Sequence, residues 1–257
     1  MTGGKLKIDI RRKRILEQLR LEGKVSVTEL SKVLDVTPVT IRNDLAAMEQ
    51  DGQLMRIQGG AVQLRSVGEL SGVRAVEDVY SEEKKAIAQA AARLVRDGET
   101  LIINSGTTTE YVAEALSVRR NLNVVTNSLA VAQKLGAVAS VRVLLVGGEV
   151  NARYGFTHGG DAQEQLQRYQ ADWAILSVDG VSAEGGITTY HAEEAIIDRI
   201  MMRSAKKIMV VADRSKIGRT GFTRVRDNLD KICLVTDGGE TQHLAALTEA
   251  GVRIVTP

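Results

Sequence analysis

From Thr100 to Val255 the chain repeats one alternation: a short apolar run, a polar turn, a helical stretch, then another apolar run. The runs are Thr100–Ile103, Asn123–Val125, Val141–Val146, Trp173–Val178, Ile208–Val211, Ile232–Val235 and Val252–Val255. Helical spacing holds over Thr109–Leu116, Leu129–Leu135, Asp161–Arg168, Ala192–Ala205 and Gln242–Ala250. One more helix is predicted ahead of them, capped by Ser81 and running through Ile87, Ala91 and Leu94 to Gly98. Glu82 and Glu83 suit its positive end. Strands and helices in strict turn predict an α/β domain over residues 81–257, with a mainly parallel sheet.

The first 62 residues follow a different pattern. Ile8–Glu22 reads as a helix with Ile8, Ile15 and Leu19 as its apolar stripe, closed by Gly23. Arg11, Arg12, Lys13 and Arg14 lie on it, either as a solvated face or as phosphate contacts. Val27, Leu30 and Leu34 fall at helical spacing, Asp35-Val36-Thr37 interrupts them, and Pro38 suits the first turn of a new helix. In that helix Ile41, Leu45 and Met48 recur at i, i+4, i+7 and point inward, leaving Val39, Thr40, Arg42, Asn43 and Ala46 outside. Two short helices joined by a tight turn can enter a DNA major groove. The segments Gln53–Ile57 and Gly59–Val62, turned around Gly59-Gly60, read as a wing. The expected base- and backbone-contacting residues are Thr37, Pro38, Val39, Thr40, Arg42 and Asn43 on the helix, with Arg56 and Gln58 on the wing. Residues 63–80 lack a period and contain Gly68, Ser71 and Gly72, which reads as a linker.

Open α/β sheets bind ligands beyond the carboxyl ends of their strands. After the first run comes Asn104-Ser105-Gly106-Thr107-Thr108-Thr109, a glycine turn with hydroxyls at a helix start. Backbone N–H groups, hydroxyls and the helix dipole there suit an anion, and phosphate is the natural one. Thr126-Asn127-Ser128 follows the second run and Gly147-Gly148 the third. Asp179-Gly180 follows the fourth, and Asp213-Arg214-Ser215-Lys216 the fifth. Taken singly, each is explained as a cap, a turn or an exposed lysine. A parallel sheet would bring all five to one rim. His191, Arg153 and Tyr154 are further candidates for lining it.

Composition narrows the alternatives. The 257 residues are 44% hydrophobic and 26% charged, enough for ordinary cores. No apolar stretch approaches the length of a membrane span, and the amino end is charged, so a cytoplasmic protein is expected. Cys233 is the one cysteine and sits in an apolar run, which excludes a disulfide within the chain and predicts a buried, inert thiol. His158, His191 and His243 are scattered without ligand spacing, so no metal site is expected. Residues 1–60 carry a net +3 and the remainder −1, which favours an anionic partner for the amino-terminal part.

The amino-terminal stretch resembles the DNA-binding domain of the DeoR family of bacterial sugar-metabolism regulators. The resemblance rests on Val27, Leu30, the turn near Val36, Thr40-Ile41-Arg42, Asp44-Leu45, Gly52 and Gly59-Gly60-Ala61. Asn43 stands where the family usually has a second basic residue, and Gln58 where His is frequent. Residues 81–239 resemble the family's sensor domain through Gly106-Thr107-Thr108-Thr109, Thr126-Asn127-Ser128, Gly147-Gly148, Asp179-Gly180, Gly186-Ile187-Thr188, Glu194-Ala195, Asp213 and Ser215-Lys216. The resemblance implies a sensor sharing its fold with ribose-5-phosphate isomerase and binding a phosphorylated sugar. By that likeness the Gly106–Thr109 loop and Lys216 hold phosphate, while Asp179 and Asn127 face sugar hydroxyls. Asn104 replaces an Asp common in the family. Within the family, the recognition helix and the Gly159–Asp179 region look similar to regulators of N-acetylgalactosamine and galactosamine use.

The expected function is therefore a transcriptional repressor of a sugar or amino-sugar operon. It would act on double-stranded operator DNA as a homodimer or homotetramer and respond to a phosphorylated sugar or amino sugar. No cofactor and no catalytic residue are expected. The alternative is a sugar-phosphate isomerase with an added DNA-binding domain, since fold does not fix function. Such an enzyme needs a positioned carboxylate base. Asp179-Gly180 is similar to the isomerase motif, but Val181-Ser182 follows where the isomerase has an acidic run.

Overall fold

A computed structural model describes residues 8–22, 24–50, 53–57, 59–63, 80–152 and 154–257. The expected chain end Met1–Lys7, the helix stop at Gly23, the linker from residue 64 to 79, Gln58 and Arg153 lie outside these residues. The chain divides into two compact units, Met1–Val79 and Tyr80–Pro257.

The first unit contains α1 (Ile8–Glu22), β1 (Lys24–Ser26), α2 (Val27–Val33), α3 (Pro38–Gln50), β2 (Leu54–Ile57) and β3 (Gly60–Gln63). Ile15, Leu19, Leu30, Ile41, Leu45 and Met48 from the three helices pack with Val25, Leu54 and Ala61 from the strands. Ile8 is 48% exposed and does not belong to that stripe, correcting the expectation. The segment Lys24–Ser26, read in the sequence as a lead-in, pairs with β3 and makes the wing three-stranded in the order β1-β3-β2. Three residues are too few to carry a readable period. The pairing explains Gly60: a Cβ there would lie 1.9 Å from the carbonyl oxygen of Val25. The turn between α2 and α3 is held by the Ser31 hydroxyl, which donates to the Val36 carbonyl at 2.6 Å.

The second unit contains α4 (Ser81–Leu94), β4 (Thr100–Ile103), α5 (Thr107–Ala115), β5 (Leu122–Thr126), α6 (Leu129–Gly136), β6 (Val141–Leu145), β7 (Glu149–Asn151), β8 (Phe156–His158), α7 (Gly160–Leu166), β9 (Ala171–Ser177), β10 (Gly180–Ser182), β11 (Gly186–Thr189), α8 (Ala192–Arg203), β12 (Ala205–Val211), β13 (Thr223–Arg226), β14 (Ile232–Val235), α9 (Thr241–Glu249) and β15 (Arg253–Val255). Seven strands form one sheet in the order β15-β14-β12-β9-β4-β5-β6, and every pair in it is parallel. Leu101 and Ile103 of β4 face the layer holding Ile87 of α4, Val112 of α5 and Val131 of α6. Ile102 faces the other layer, with Leu166 of α7, Met201 of α8 and Leu247 of α9. Burial on both faces is why the strands read as continuous apolar runs rather than alternating ones. Cys233 is buried among them, and burial pushes its thiol up. Ser81 does not cap α4: Tyr80 precedes the helix in a left-handed conformation and makes no side-chain cap bond.

The order of the strands matters for function. From β4 the chain winds through β5 to β6 on one side. It then returns to β9 on the other side of β4 and continues to β12, β14 and β15. The winding direction reverses between β4 and β9, which leaves a crevice at their carboxyl ends. Two small antiparallel sheets, β7-β8 and β10-β11-β13, are built from the segments after β6, β9 and β12.

Candidate functional site

Two surfaces are candidates, one in each unit. On the first, Thr37 and Pro38 open α3, and Val39, Arg42 and Asn43 are exposed along it, while Ile41 and Leu45 are buried. The Thr37 hydroxyl oxygen accepts from the Thr40 N–H at 3.2 Å and lies 2.9 Å from the Thr40 hydroxyl. These two threonines thus build the front of the helix as well as decorating it. Arg56 is exposed on β2, its N–H donating to Glu49 at 3.0 Å.

Asp44 sits on the opposite side of α3 at 2% exposure. Arg11 Nε contacts its Oδ2 at 2.5 Å, and Arg12 Nε lies 3.5 Å from its Oδ1. Neither reading of the basic run anticipated this. Two of its four cations are held by a carboxylate and lock α1 to α3. Sequence carries no signal for a pair 33 residues apart, beyond the presence of an acid at an otherwise apolar inner position.

On the second unit, the crevice between β4 and β9 is lined first by the segment leaving β4. Asn104 is 4% exposed, and its amide is fully engaged. Nδ2 donates to the Ser177 carbonyl at 2.9 Å and to Asp198 Oδ1 at 3.0 Å, and Oδ1 accepts from the Ser177 N–H at 2.9 Å. Asn104 therefore ties β4 to β9 rather than reaching outward. Gly106 then turns at φ +155° to open α5, and a Cβ there would lie 2.7 Å from that of Ser177. Thr107 is exposed at the first helical position and Thr108 is buried. The Thr109 hydroxyl lies within reach of the Asn104 and Gly106 carbonyls, at 3.0 and 2.9 Å, and is spent within the loop.

Across the crevice stands Asp179, half-buried just beyond β9. Its Oδ2 accepts from the Tyr190 N–H at 2.9 Å and from the Thr189 hydroxyl at 3.1 Å, and its Oδ1 is 3.6 Å from Lys216 Nζ. Lys216 is held in place by a single helical turn that Asp213 caps, accepting from the Ser215 N–H at 2.9 Å. Gly180 begins β10 and pairs with Thr188. The strand ends carrying Asn104, Gly106, Asp179 and Lys216 are thus neighbours, as the parallel sheet required.

Two carboxyls that the sequence reading did not assign to the site join this group from α8. Glu194 Oε2 lies 2.7 Å from the Thr189 hydroxyl. Burial first, and then the nearby Asp179 and Glu193, push Glu194 up to about 7, against the opposing hydrogen bond. Asp198, 3% exposed, is held well above the ordinary carboxylate range, again by burial first. The signal available in sequence was their i, i+4 spacing on a helix following a polar turn.

The remaining predicted residues lie farther along the rim. Thr126 donates to the Ile103 carbonyl at 2.6 Å, and Ser128 caps α6 by accepting from the Val131 N–H. Asn127 is buried, its Nδ2 donates to the Thr157 carbonyl at 3.0 Å, and its Oδ1 has no hydrogen-bond partner among the described residues. Gly147 and Gly148 follow the edge strand β6, two strands from β4, and the Gly147 N–H donates to Gln165. They stand apart from the crevice. Tyr154 reaches toward it, its ring 4.8 Å from that of His191, which precedes α8. No group of three metal-ligating side chains occurs among the described residues. No helix there is long and apolar enough to cross a membrane.

Comparison with known proteins matches residues 11–67 to the DeoR-like helix-turn-helix domain and residues 80–238 to the DeoR C terminal sensor domain. A protein of Escherichia coli O157:H7, provisionally named an aga operon transcriptional repressor, is 34% identical, over 95% of this chain and 92% of its own. The glycerol-3-phosphate regulon repressor of Escherichia coli K12 is 33% identical, over 82% and 83%. Among solved structures, ribose 5-phosphate isomerase A of Methanocaldococcus jannaschii overlaps 53% of this chain and 54% of its own, at 17% identity and a TM-score of 0.39. That overlap is too low to argue from.

Proposed function

The chain belongs to the DeoR family and is a DNA-binding transcriptional regulator rather than an enzyme, and from that premise we propose that it represses a sugar or amino-sugar catabolic operon and is released from its operator by a phosphorylated sugar. The observation that carries the effector half is the crevice at the reversal of strand order, with the Gly106 turn and the start of α5 on one side and the Asp179–Lys216 pair on the other. The N–H groups of the Gly106–Thr109 turn and the Lys216 ammonium suit a phosphate. Asp179 and the buried Oδ1 of Asn127, which has no hydrogen-bond partner among the described residues, suit sugar hydroxyls. On the DNA side, Arg42, Asn43, Thr40 and Val39 are the base-reading candidates, with Arg56 on the wing against the backbone and Gln58 kept as a candidate from the sequence. Paired half-sites call for a homodimer or homotetramer acting in the cytoplasm.

The effector acts only if it binds the DNA-competent and DNA-incompetent arrangements with different affinity. Fluorescence anisotropy on DNA upstream of the protein's own gene cluster, at fixed salt, tests both halves. Specific binding is expected, released by one member of a panel of tagatose, galactosamine, fuculose and fructose phosphates. The double variant Thr40→Ala, Arg42→Ala is expected to lose about 10- to 100-fold in operator affinity. Undiminished specific binding by that variant refutes the recognition-helix assignment. Binding indifferent to every phosphate refutes the effector class.

A further inference from the structure

Glu194 and Asp198 stand one turn apart on α8 and reach different parts of the crevice. Glu194 contacts Thr189, and through it Asp179. Asp198 reaches the segment leaving β4, because its Oδ1 accepts from Asn104 Nδ2 at 3.0 Å. The Asn104 amide has two hydrogens and one oxygen, and the structure uses all three: one hydrogen to Asp198, one to the Ser177 carbonyl, and the oxygen to the Ser177 N–H. The Asn104 backbone carbonyl also lies within reach of the Thr109 hydroxyl. A residue tied on every side fixes the direction in which the chain leaves β4. Two residues later Gly106 rests against Ser177 with no room for a methyl group. Small rotations at Asn104 therefore pass directly into the turn.

We propose that Asp198 is a positioning residue for the anion-binding turn Ser105–Thr109, holding it through the side chain of Asn104. The proposal rests on the reading of that turn as the phosphate site. Removing the acceptor leaves a buried N–H of Asn104 unsatisfied, and the amide gains by rotating away from Ser177 to find another partner. The turn then loses the backing of β9, and its N–H groups no longer converge. A carboxyl suits this place because burial, with Glu194 and Asp179 nearby, disfavours its ionised form. It can accept from Asn104 without setting a full negative charge beside an incoming phosphate.

The test compares Asp198→Ala with Asp198→Asn in the full chain. Asparagine keeps an oxygen where Asn104 donates. Two readouts are taken: hydrogen exchange of residues 105–109 without ligand, and calorimetric titration with inorganic phosphate and with galactosamine 6-phosphate. In Asp198→Ala the exchange of the turn is expected to rise and probe affinity to fall, each by about tenfold, and Asp198→Asn is expected to restore both. If the alanine variant does not fold, Asp198→Ser, which keeps a polar group but withdraws the acceptor, replaces it. Unchanged exchange in the turn when the acceptor is lost overturns the proposal. So does an asparagine variant that behaves like alanine. A wild-type chain that binds neither probe refutes the phosphate reading of the turn, and the exchange comparison still decides the positioning role.

Discussion

Replacing Glu194 by glutamine tests how the carboxyls of the crevice are arranged. One hydroxyl, that of Thr189, lies 3.1 Å from Asp179 Oδ2 and 2.7 Å from Glu194 Oε2, and it has a single proton to give. When Glu194 is protonated the network closes: Glu194 donates to Thr189, and Thr189 donates to Asp179. When Glu194 ionises, two carboxylates compete for one proton, and Glu194 loses a donor in a partly buried place. Burial first, and then the nearby charges of Asp179 and Glu193, raise its pKa from 4.5 to about 7 on folding, against the opposing hydrogen bond of Thr189. The folded state holds a proton that the unfolded state has released, so stability is full below pH 4.5 and falls as pH rises through 7. At 1.36 kcal/mol per unit the cost reaches about 3 kcal/mol, nearer 2 after solvent screening of a half-buried group.

Glutamine keeps the shape, cannot ionise, and can donate to Thr189 from Nε2. Trp173 is the single tryptophan and lies in β9, so its fluorescence during urea unfolding reports the second unit alone. The variant is expected to match the wild type near pH 5 and to exceed it by about 2 kcal/mol at pH 8.5. A difference that stays constant across that range would falsify the shared-proton arrangement.

Three further outcomes are expected. Asp44→Ala strips the acceptor from two arginines, one of them buried, and should destabilise the first unit by about 3 kcal/mol. Operator binding would be lost while the Trp173 transition stays in place, and retention of both refutes the clamp. Gly106→Ala drives a methyl group into Ser177 at positive φ. It should weaken galactosamine 6-phosphate, measured by calorimetry, by at least about tenfold through misplacement of the turn, and unchanged affinity would remove the turn from the site. Gly60→Ala sets a Cβ against the Val25 carbonyl and should unpair β1 from β3, read as lost amide protection at Val25 and Ala61. Retained protection there contradicts the close approach.

Much of this was legible without coordinates. The alternation of apolar runs and helical stretches from Thr100 to Val255 predicted a parallel sheet, because parallel neighbours need a crossover helix between them. The spacing of Ile41, Leu45 and Met48 behind Pro38 dictated an inner face for α3 and left Val39, Arg42 and Asn43 outside. The rim clusters were legible as well, because each followed a strand. Of the three-residue strands, β1, β7, β8 and β10 were not, since they are held by tertiary pairing and too short to show a period.

Tertiary structure alone decided which clusters meet. Strand order, which sequence periodicity does not encode, brought β4 beside β9 and so set Asn104 against Ser177, 73 positions away, while leaving Gly147 and Gly148 at the edge. It also decided the state of the charges. Arg11 and Arg12 read as solvated or phosphate-seeking until α1 laid them on Asp44, and Glu194 and Asp198 carried no assigned role at the site until burial raised their pKa values. Secondary structure is written in spacing along the chain. Pairing between distant residues, and the desolvation that follows from it, exist only once the layers have packed.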